Sequence, residues 1–480
     1  MQNQVPKLQR QGPLRLIMKK QPPMVTDAYI YASQKINLEP DAIKQLYNAA
    51  CLPPVKQILA TPDIHVGFGV PIGCVLAMEN AIMPPAVGYD INCGMSMLTT
   101  GFFKDQIDLN AVSKALARNI PLGEGKTNLN LSRKNFESTI IGGVPSIKTI
   151  SEKSNHYAFN NFDDAQFQQD LQHIEEQGQM PTDFRAVPAI AVEKSSSQLG
   201  TLGGGNHFIE IQYVDEILDK HLAEQFDLSE NQITIMIHSG SRRFGYEIAD
   251  HYMNVAANQP YCTDLNKMLA YIKTETRDGQ NYISAMHAAA NFGFINRYMM
   301  TLITRQCFND IFGHTEIKLI YDITHNIAKL ENHQNKQLWI HRKGATRAFG
   351  PERMKNTPFA RTGQPVITPG SMGTASFLLA ATDSNQQSLC SVNHGAGRVL
   401  SRSAAMGKRK RGKIITPPAI TDDQFKRSMK GIKLITANQS KIKEEAPDAY
   451  KNIDHVIEIV AGCKWAIPVA KMRPLVVLKG

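Results

Sequence analysis

The sequence contains no apolar run long enough to span a lipid bilayer, which argues against an integral membrane protein. Its first twenty residues are polar and are interrupted by Pro6 and Pro13, so they lack the charged-then-apolar pattern of an export signal. No Pro/Ser-rich linker or low-complexity tract divides the chain. These absences predict a cytoplasmic protein that has no membrane partner.

Cysteine is scarce and unpaired in its spacing. Seven cysteines, an odd number, are scattered from Cys51 to Cys463. This distribution is typical of reduced thiols and argues against a disulfide framework. A reduced thiol remains available as a metal ligand.

The remaining composition is that of an ordinary globular protein of 480 residues, 42% hydrophobic and 20% charged. A chain of this length could hold two or three average domains. Because no linker is visible, one large domain with insertions is at least as good an interpretation.

Basic residues exceed acidic ones, with 53 Lys+Arg against 43 Asp+Glu and a net charge of +10. Part of this excess is concentrated in residues 341–347 and 408–411. A polyanionic partner would account for the excess, and so would a solvated basic face. The charge alone does not decide between these two interpretations.

A short loop at residues 88–94 places a carboxylate and a thiol between two glycines. Asp90 and Cys93 offer one hard and one soft metal ligand, and the flanking Gly88 and Gly94 permit a tight turn. The alternative is a buried cysteine beside an aspartate that caps its own turn. Histidines elsewhere in the chain favour the metal site.

Three histidines follow glycines or apolar strands. His207 follows the glycine-rich residues 199–205, whose backbone N–H groups could approach an anion. His238 follows an apolar strand at residues 233–237, and His325 lies just beyond another at 317–321. Together with Asp90 and Cys93 these side chains make five ligands, enough for two divalent ions that share the thiolate. Ligand chemistry alone suggests zinc.

Two further histidines are candidates for other roles. Asp63 and His65 lie two residues apart and would face the same way on a strand, as an outer-shell pair or as a turn cap and a surface histidine. His394 lies among small residues near Arg398, as a nucleophile or general base would. Glycine-rich loops, basic residues and a metal pair together suggest phosphoryl or nucleotidyl transfer.

The pattern also predicts several elements away from the candidate site. Residues 26–60 are predicted to be largely helical, and residues 246–313 to form a helical excursion with helices at 264–276 and 285–312, broken near 278–279. The apolar stripes of this excursion indicate core packing. Residues 475–478 predict a last strand, after which Lys479 would by default be frayed.

The loops from Asp90 to His394 resemble, in their order and context, the motifs of the RtcB family of RNA-splicing ligases. The resemblance runs from Thr61 to the end of the sequence. It thins over residues 105–180 and 255–310. The resemblance includes the loops around Asp90, Cys93, His207, His238, His325 and His394, which lie outside these two thin stretches.

The resemblance implies an α+β fold, namely a single multilayered domain over residues 1–480 with the helical excursion 246–313 inserted in it. It implies a GTP- and Mn(II)-dependent enzyme that joins RNA 3′-phosphate or 2′,3′-cyclic phosphate ends to 5′-hydroxyl ends, in tRNA splicing or RNA repair. The partners it implies are RNA with such ends, GTP and an archease-like activating protein. Two Mn(II) per chain take the place of the zinc suggested by ligand chemistry.

The resemblance also assigns the metal ligands. Asp90, Cys93 and His207 are expected to hold one Mn(II). Cys93, His238 and His325 are expected to hold the other, so that the thiolate is shared.

His394 is, by the same resemblance, the histidine that becomes guanylylated. The residues that match the guanylate-binding segments of the family are Asn206, His207, Phe208, Ile209, Glu210, His325, Asn326, Pro369, Gly370, Ser371, Met372, Ser376, His394, Gly395, Ala396, Gly397 and Lys479.

Two other functions would use the same residues. A dinuclear metallophosphoesterase would open RNA cyclic phosphates with these ligands and would need no nucleotide. A basic RNA-binding scaffold would need the metal only for its structure. Arg242, Lys343 and Arg398 are candidates for RNA-phosphate contacts, with an exposed solvated face as the alternative.

Overall fold

The chain is described by a computed structural model that covers residues 5–262, 266–410 and 413–480. Its α-helices are α1 (Pro40–Ala50), α2 (Pro84–Val87), α3 (Leu109–Asn119), α4 (Arg133–Gly142), α5 (Ile147–Ser151), α6 (Asp164–Gln172), α7 (Ala189–Ser195), α8 (Lys220–Gln225), α9 (Arg242–Ala257), α10 (Arg277–Phe312), α11 (Arg402–Met406), α12 (Asp422–Ser428) and α13 (Ile453–Gly462). Its strands are β1 (Gln9–Gln11), β2 (Arg15–Met18), β3 (Ala28–Tyr31), β4 (Val55–His65), β5 (Ile72–Met78), β6 (Ala81–Ile82), β7 (Gly94–Phe103), β8 (Phe208–Ile217), β9 (Gln232–Ser239), β10 (Ile272–Lys273), β11 (Ile317–Thr324), β12 (Asn326–His333), β13 (Lys336–Lys343), β14 (Ala345–Arg347), β15 (Pro365–Thr368), β16 (Ser376–Ala381), β17 (Ser391–Asn393), β18 (Lys408–Lys410), β19 (Lys413–Thr416), β20 (Lys433–Thr436) and β21 (Ala466–Lys479).

Most of the strands belong to two large sheets. The first has the order β1-β2-β3-β4-β5-β13-β12. The second has the order β11-β7-β9-β8-β21-β16-β15, and β20 pairs in parallel beside β21. Helices and sheets alternate irregularly along the chain, so the predicted α+β class is confirmed.

The second sheet is buried on both faces, as strand β9 illustrates. Ile233, Ile235 and Ile237 alternate along β9 and belong to one apolar cluster, whereas Met236 points the other way into a second cluster. A strand covered on both sides requires a nearly continuous apolar sequence. The predicted strand at residues 233–237 is confirmed for this reason.

Helix α10, with 36 residues, forms most of the predicted helical excursion. Its apolar side chains, such as Phe292 and Tyr298, are buried, so the interpretation of these stripes as core is confirmed. The predicted break near 278–279 is wrong, because α10 runs through it from Arg277. The predicted helix at 264–276 is also wrong over its described part, where β10 pairs with β6; residues 264–265 lie outside the described residues.

The prediction that residues 26–60 are largely helical is wrong outside α1. Ala28–Tyr31 form β3, and β4 begins at Val55; these two strands pair in parallel. Three of the four residues 28–31 are buried, and the stretch is too short for the period of a strand to be distinguished from that of a helix.

The largest apolar cluster draws residues from both large sheets and from α10, for example Val75, Ile237 and Phe292. Among the described residues, no helix combines the length and the apolar character needed to cross a bilayer. One domain over residues 1–480 stays a prediction.

Candidate active site and metal centre

Four adjacent antiparallel strands bring four of the candidate ligands together where the ends of these strands meet, on one side of the second sheet. Cys93 immediately precedes β7 and His207 immediately precedes β8, whereas His238 lies near the end of β9 and His325 immediately follows β11. Neighbouring antiparallel strands present alternately their starts and their ends at the same edge. The register agrees, since both Met95 and Phe208 lie opposite His238.

The ligand atoms converge around the thiol of Cys93. Its Sγ lies 3.2 Å from Nε2 of His238 and 3.4 Å from Nε2 of His207. Nε2 of His238 lies 3.2 Å from Nε2 of His325, and Nε2 of His207 lies 2.8 Å from Oδ2 of Asp90. The five residues fall into two groups that could each hold a metal ion, Asp90–Cys93–His207 and Cys93–His238–His325, and Cys93 is common to both.

Hydrogen bonds behind the cluster orient two of the imidazoles. Nδ1 of His207 lies 3.1 Å from the backbone oxygen of Leu202, and Nδ1 of His238 lies 3.1 Å from that of Asn206. A carbonyl that accepts the Nδ1 proton leaves Nε2 with its lone pair directed into the cluster. Oδ1 of Asp90 is buried without a hydrogen-bond partner in the structure, as a carboxylate oxygen reserved for a cation would be.

Burial and mutual proximity set the protonation states that suit metal ligands. Burial, reinforced by neighbouring imidazoles, lowers the pKa of His238 and of His325 well below the ordinary value, so both rings are neutral. Burial opposes ionisation of Asp90, but His207, together with Cys93 and Arg242, outweighs it and holds the pKa of this carboxyl at about 2. Burial and the nearby Asp90 carboxylate raise the pKa of the Cys93 thiol well above its usual range, so ionisation requires a neighbouring cation.

The side chain of Arg297, on helix α10, hydrogen-bonds to the loop that carries Asp90 and Cys93. Its guanidinium donates to the backbone oxygen of Asn92 at 2.7 Å and to that of Ser239 at 3.0 Å, and it forms an ion pair with Asp322 at 2.6 Å. Arg297 is fully buried. One side chain therefore connects the loop before β7, the end of β9 and strand β11, and sequence patterns contained no signal of it.

His394 lies beside the cluster and is hydrogen-bonded to Asp63. Its Nδ1 lies 2.7 Å from Oδ2 of Asp63, and its ring centroid lies 4.9 Å from that of His325. The other oxygen of Asp63 accepts a 2.5 Å hydrogen bond from Thr61 Oγ1. Burial opposes ionisation of Asp63, but the bond to His394 keeps its pKa below the ordinary value.

The alternative of a turn-capping Asp63 and a surface His65 is wrong, because both residues are buried. Nδ1 of His65 lies 2.8 Å from the backbone oxygen of Asp63. Burial lowers the pKa of His65 to about 4, so this ring is neutral. The carboxylate therefore stands behind His394, and neither Asp63 nor His65 belongs to either ligand group.

A cavity of about 550 Å³ opens beside His394 and His238. Its walls include eleven of the residues that match the guanylate-binding segments, namely Asn206, Phe208, Pro369, Gly370, Ser371, Met372, His394, Gly395, Ala396, Gly397 and Lys479. The remaining six, His207, Ile209, Glu210, His325, Asn326 and Ser376, do not line it, and two of them, His207 and His325, belong to the metal-ligand groups.

Two of these residues, Glu210 and Ser376, share Gln212 as a hydrogen-bond donor. Gln212 donates to Glu210 Oε2 at 2.7 Å and to Ser376 Oγ at 3.1 Å. Burial raises the pKa of Glu210 to about 8. Asn326 connects two loops. Its side chain donates to the backbone oxygen of Asp90 at 3.2 Å and accepts from the backbone N–H of Gly344.

The prediction that Lys479 is frayed at the end of the chain is wrong. Lys479 is the last residue of β21, which pairs with both β8 and β20. Its side chain is buried and Nζ donates to the backbone oxygen of Gly205 at 2.8 Å. The strand thus delivers a cation to the cavity wall, beside the glycine-rich loop that precedes His207.

Sequence reasoning missed several residues of the cavity wall. Glu39, Arg402, Glu445 and Tyr450 line it in addition to the predicted residues. Glu445 lies 3.0 Å from Arg402 Nε, and it also pairs with Arg398. These residues come from loops and short helices whose sequences contain no glycine or histidine motif.

The basic segment 341–347 is not a solvated face. Arg342 is fully buried and forms an ion pair with Glu331 at 2.5 Å. Lys343 donates to the backbone oxygen of Pro85 at 2.9 Å, and burial lowers its pKa to about 7. The exposed-face alternative is therefore wrong for Lys343, and it is wrong for Arg242, which is buried as well. The side chains of residues 408–411 lie outside the described part of the chain.

Comparison with known proteins agrees with this geometry. The family model described as tRNA-splicing ligase RtcB matches residues 45–480. Proteins named tRNA-splicing ligase RtcB from Thermococcus kodakarensis and Methanococcus maripaludis are each 37% identical to this chain; the first match covers 91% of each sequence and the second 92%. A protein named RNA-splicing ligase RtcB homolog 1 from Entamoeba dispar is 36% identical over 92% of this chain and 83% of its own length. On this evidence the chain belongs to the RtcB family of tRNA-splicing ligases.

Proposed function

We propose that this protein is a GTP- and Mn(II)-dependent RNA ligase. It joins RNA 3′-phosphate or 2′,3′-cyclic phosphate ends to 5′-hydroxyl ends through guanylylated His394 and an RNA-ppG intermediate. Family membership supports the joining of RNA. The observation that carries the mechanism is the His394–Asp63 pair, which lies between the metal-ligand cluster and a cavity large enough for a nucleotide.

The pair explains why His394 can act as a nucleophile. Because the buried Asp63 carboxylate accepts the proton on Nδ1, Nε2 of His394 keeps its lone pair. The same carboxylate fixes the orientation of the ring and stabilises positive charge that develops on it, as in other histidine–carboxylate pairs. Asp63 is therefore a positioning residue for His394.

The cavity walls suit a guanylate. The loops around Gly370 and Gly395 expose backbone groups to the cavity, and buried Lys479 provides positive charge. Glu210, whose pKa burial raises to about 8, lies near Lys479. Backbone donors with one buried cation are typical of sites that hold phosphate groups.

We propose that Asp90, Cys93 and His207 hold one Mn(II), and that Cys93, His238 and His325 hold the other. The unpartnered Oδ1 of Asp90 and the converging Nε2 and Sγ atoms support this fit. When bound, two divalent ions offset negative charge on the reacting phosphates.

The proposed reaction has three transfer steps. Nε2 of His394 attacks the α-phosphorus of GTP, pyrophosphate leaves, and GMP remains on the histidine as a phosphoramidate. The GMP then passes to the RNA 3′-phosphate to form RNA-ppG, which frees His394. The 5′-hydroxyl attacks this activated end and GMP leaves. A 2′,3′-cyclic end is first opened by water to a 3′-phosphate.

The test is covalent labelling with GTP that carries a labelled α-phosphate, in the presence of Mn(II). We expect a protein adduct that is labile in acid and persists in alkali, because protonation turns the phosphoramidate nitrogen into a leaving group. His394→Ala should abolish the adduct and the joining of 3′-phosphate ends, yet it should still join a pre-made RNA-ppG end to a 5′-hydroxyl. His251→Ala, an exposed histidine on α9, is the matched control.

An adduct that mass spectrometry maps to a lysine would contradict the role of His394, and so would a variant equally inactive on RNA-ppG. Opening of cyclic phosphates without GTP and without any adduct would instead support the phosphoesterase. We also propose an archease-like activating protein as a partner, which would raise turnover without changing the labelled residue, and a cytoplasmic location.

A further inference from the structure

Three aromatic side chains form a partly exposed surface next to the metal-ligand cluster. We name Phe68, Tyr89 and Tyr246 the aromatic platform. The rings of Tyr89 and Tyr246 are stacked, with centroids 4.9 Å apart and planes inclined by 19°, and Phe68 lies 5.5 Å from Tyr89. Phe68 and Tyr246 are each 38% exposed. Exposure of clustered aromatic rings to water is unfavourable, and exposed apolar patches of this kind mark interaction sites.

Short stretches of chain connect the platform to the proposed reaction site at two points. Tyr89 immediately precedes Asp90 in the ligand loop. Phe68 lies two residues beyond Val66, which lines the cavity beside His394 and is itself exposed. A strand of nucleic acid held on the platform would therefore lie near the ligand loop and the cavity wall.

An arginine and a lysine lie close to the aromatic rings, and Arg243 supplies the cation because burial lowers the pKa of Lys343 to about 7. The guanidinium carbon of Arg243 lies 4.6 Å from the centre of the Tyr246 ring, and Nζ of Lys343 lies 5.9 Å from that of Phe68. Arg243 is 44% exposed, and its buried partner Glu247 is shared with Lys194. Half-buried Asp250 is the acidic group next to Tyr89.

We propose that the aromatic platform binds unpaired bases of the RNA substrate next to the break. Stacking on aromatic side chains beside a cation is the mode by which proteins hold single-stranded nucleic acid without reading its sequence. The proposal rests on the proposed RNA ligase function and adds to it the surface that holds the strand. The net charge of +10 fits a polyanionic occupant.

The test measures binding of a fluorescent single-stranded RNA with a 5′-hydroxyl and a 3′-phosphate, in the absence of GTP so that no joining occurs. Tyr246→Ala should weaken binding about tenfold, whereas Tyr246→Phe, which keeps the ring, should bind like the unaltered protein. Phe103→Ala removes an equally exposed ring at the far end of β7 and is the matched control.

A second measurement needs no variant. The unaltered protein should bind the base-bearing RNA about tenfold more tightly than an abasic strand of equal length and charge. Tyr246→Ala should bind the two strands about equally.

Equal binding of both strands by the unaltered protein would overturn the proposal, and so would unchanged binding in Tyr246→Ala. A loss in Tyr246→Phe as large as that in Tyr246→Ala would contradict stacking. In each of these cases a protein partner becomes the better occupant of the platform. GTP labelling of His394 involves no RNA, so its failure would contradict the ligase mechanism and leave the platform result standing.

Discussion

The guanidinium of Arg297 donates to the backbone oxygen of Asn92 at 2.7 Å, so that the middle of helix α10 holds the loop that carries Asp90 and Cys93. Asn92 itself has a positive φ of 55°, a conformation that needs support from its surroundings. The longest helix of the described chain is thus directly coupled to the candidate metal ligands.

Arg297→Met should lower the free energy of unfolding by about 3–5 kcal/mol, because it leaves buried Asp322 without its ion-pair partner. It should also weaken Mn(II) binding, since Asn92 and Ser239 lose their donor. Urea denaturation and metal titration measure the two effects. Arg305→Met removes a second buried ion pair of α10, with Asp170, and should lower stability while leaving metal affinity intact. Equal loss of metal by both variants would contradict a specific role for Arg297.

Cys93→Ala should abolish guanylylation and reduce the metal content below two per chain, because both ligand groups lose the shared atom. Cys93→Ser should fail as well, since a serine hydroxyl is not ionised near neutral pH as a metal-bound thiol is. Elemental analysis of the purified variants is the measurement. Cys51→Ala, at a half-buried cysteine outside both groups, is the control. Retention of two Mn(II) with normal labelling would remove Cys93 from the bridge.

Lys479→Met should raise the apparent KM for GTP by about tenfold or more, because charge-assisted hydrogen bonds contribute about 1.5–3 kcal/mol. The fold should persist, since methionine keeps the buried volume and β21 keeps its backbone pairing. Lys471→Met alters a lysine of the same strand that pairs with Asp454 outside the cavity, and it should leave KM unchanged. An unaltered KM in Lys479→Met would count against guanylate contact.

Glu210→Gln should change how stability depends on pH. The folded pKa of Glu210 is raised to about 8 from an ordinary 4.5, so between these values the folded state keeps a proton that the unfolded state releases. Stability from this group therefore falls as pH rises through that window. Glutamine resembles the protonated form, and the variant should show a flatter fall. Denaturation across the window is the measurement, with exposed Glu216→Gln as the control.

Sequence patterns predicted those parts of the site that depend on local order. His238 and His325 were found because each follows an apolar strand, and an antiparallel sheet places such ends together. The pairing of Asp63 with His394 could not be predicted locally, because 331 residues separate them. Arg297 was invisible for another reason: a buried arginine within an apolar helix resembles a solvated position until its partner Asp322 is known. Only proximity in the fold reveals such pairs.

The position of β21 in the second sheet has a consequence for folding kinetics. This strand lies between β8 and β16, yet residues 466–479 are synthesised some 250 residues after β8. Until they emerge, both neighbours present unpaired edges, which are sites for misassembly between chains. Non-local pairing of this kind also slows folding. We therefore expect the β8–β21–β16 part of the sheet, with Lys479 at the end of β21, to form late, and newly made chains to depend on chaperones until β21 is in place.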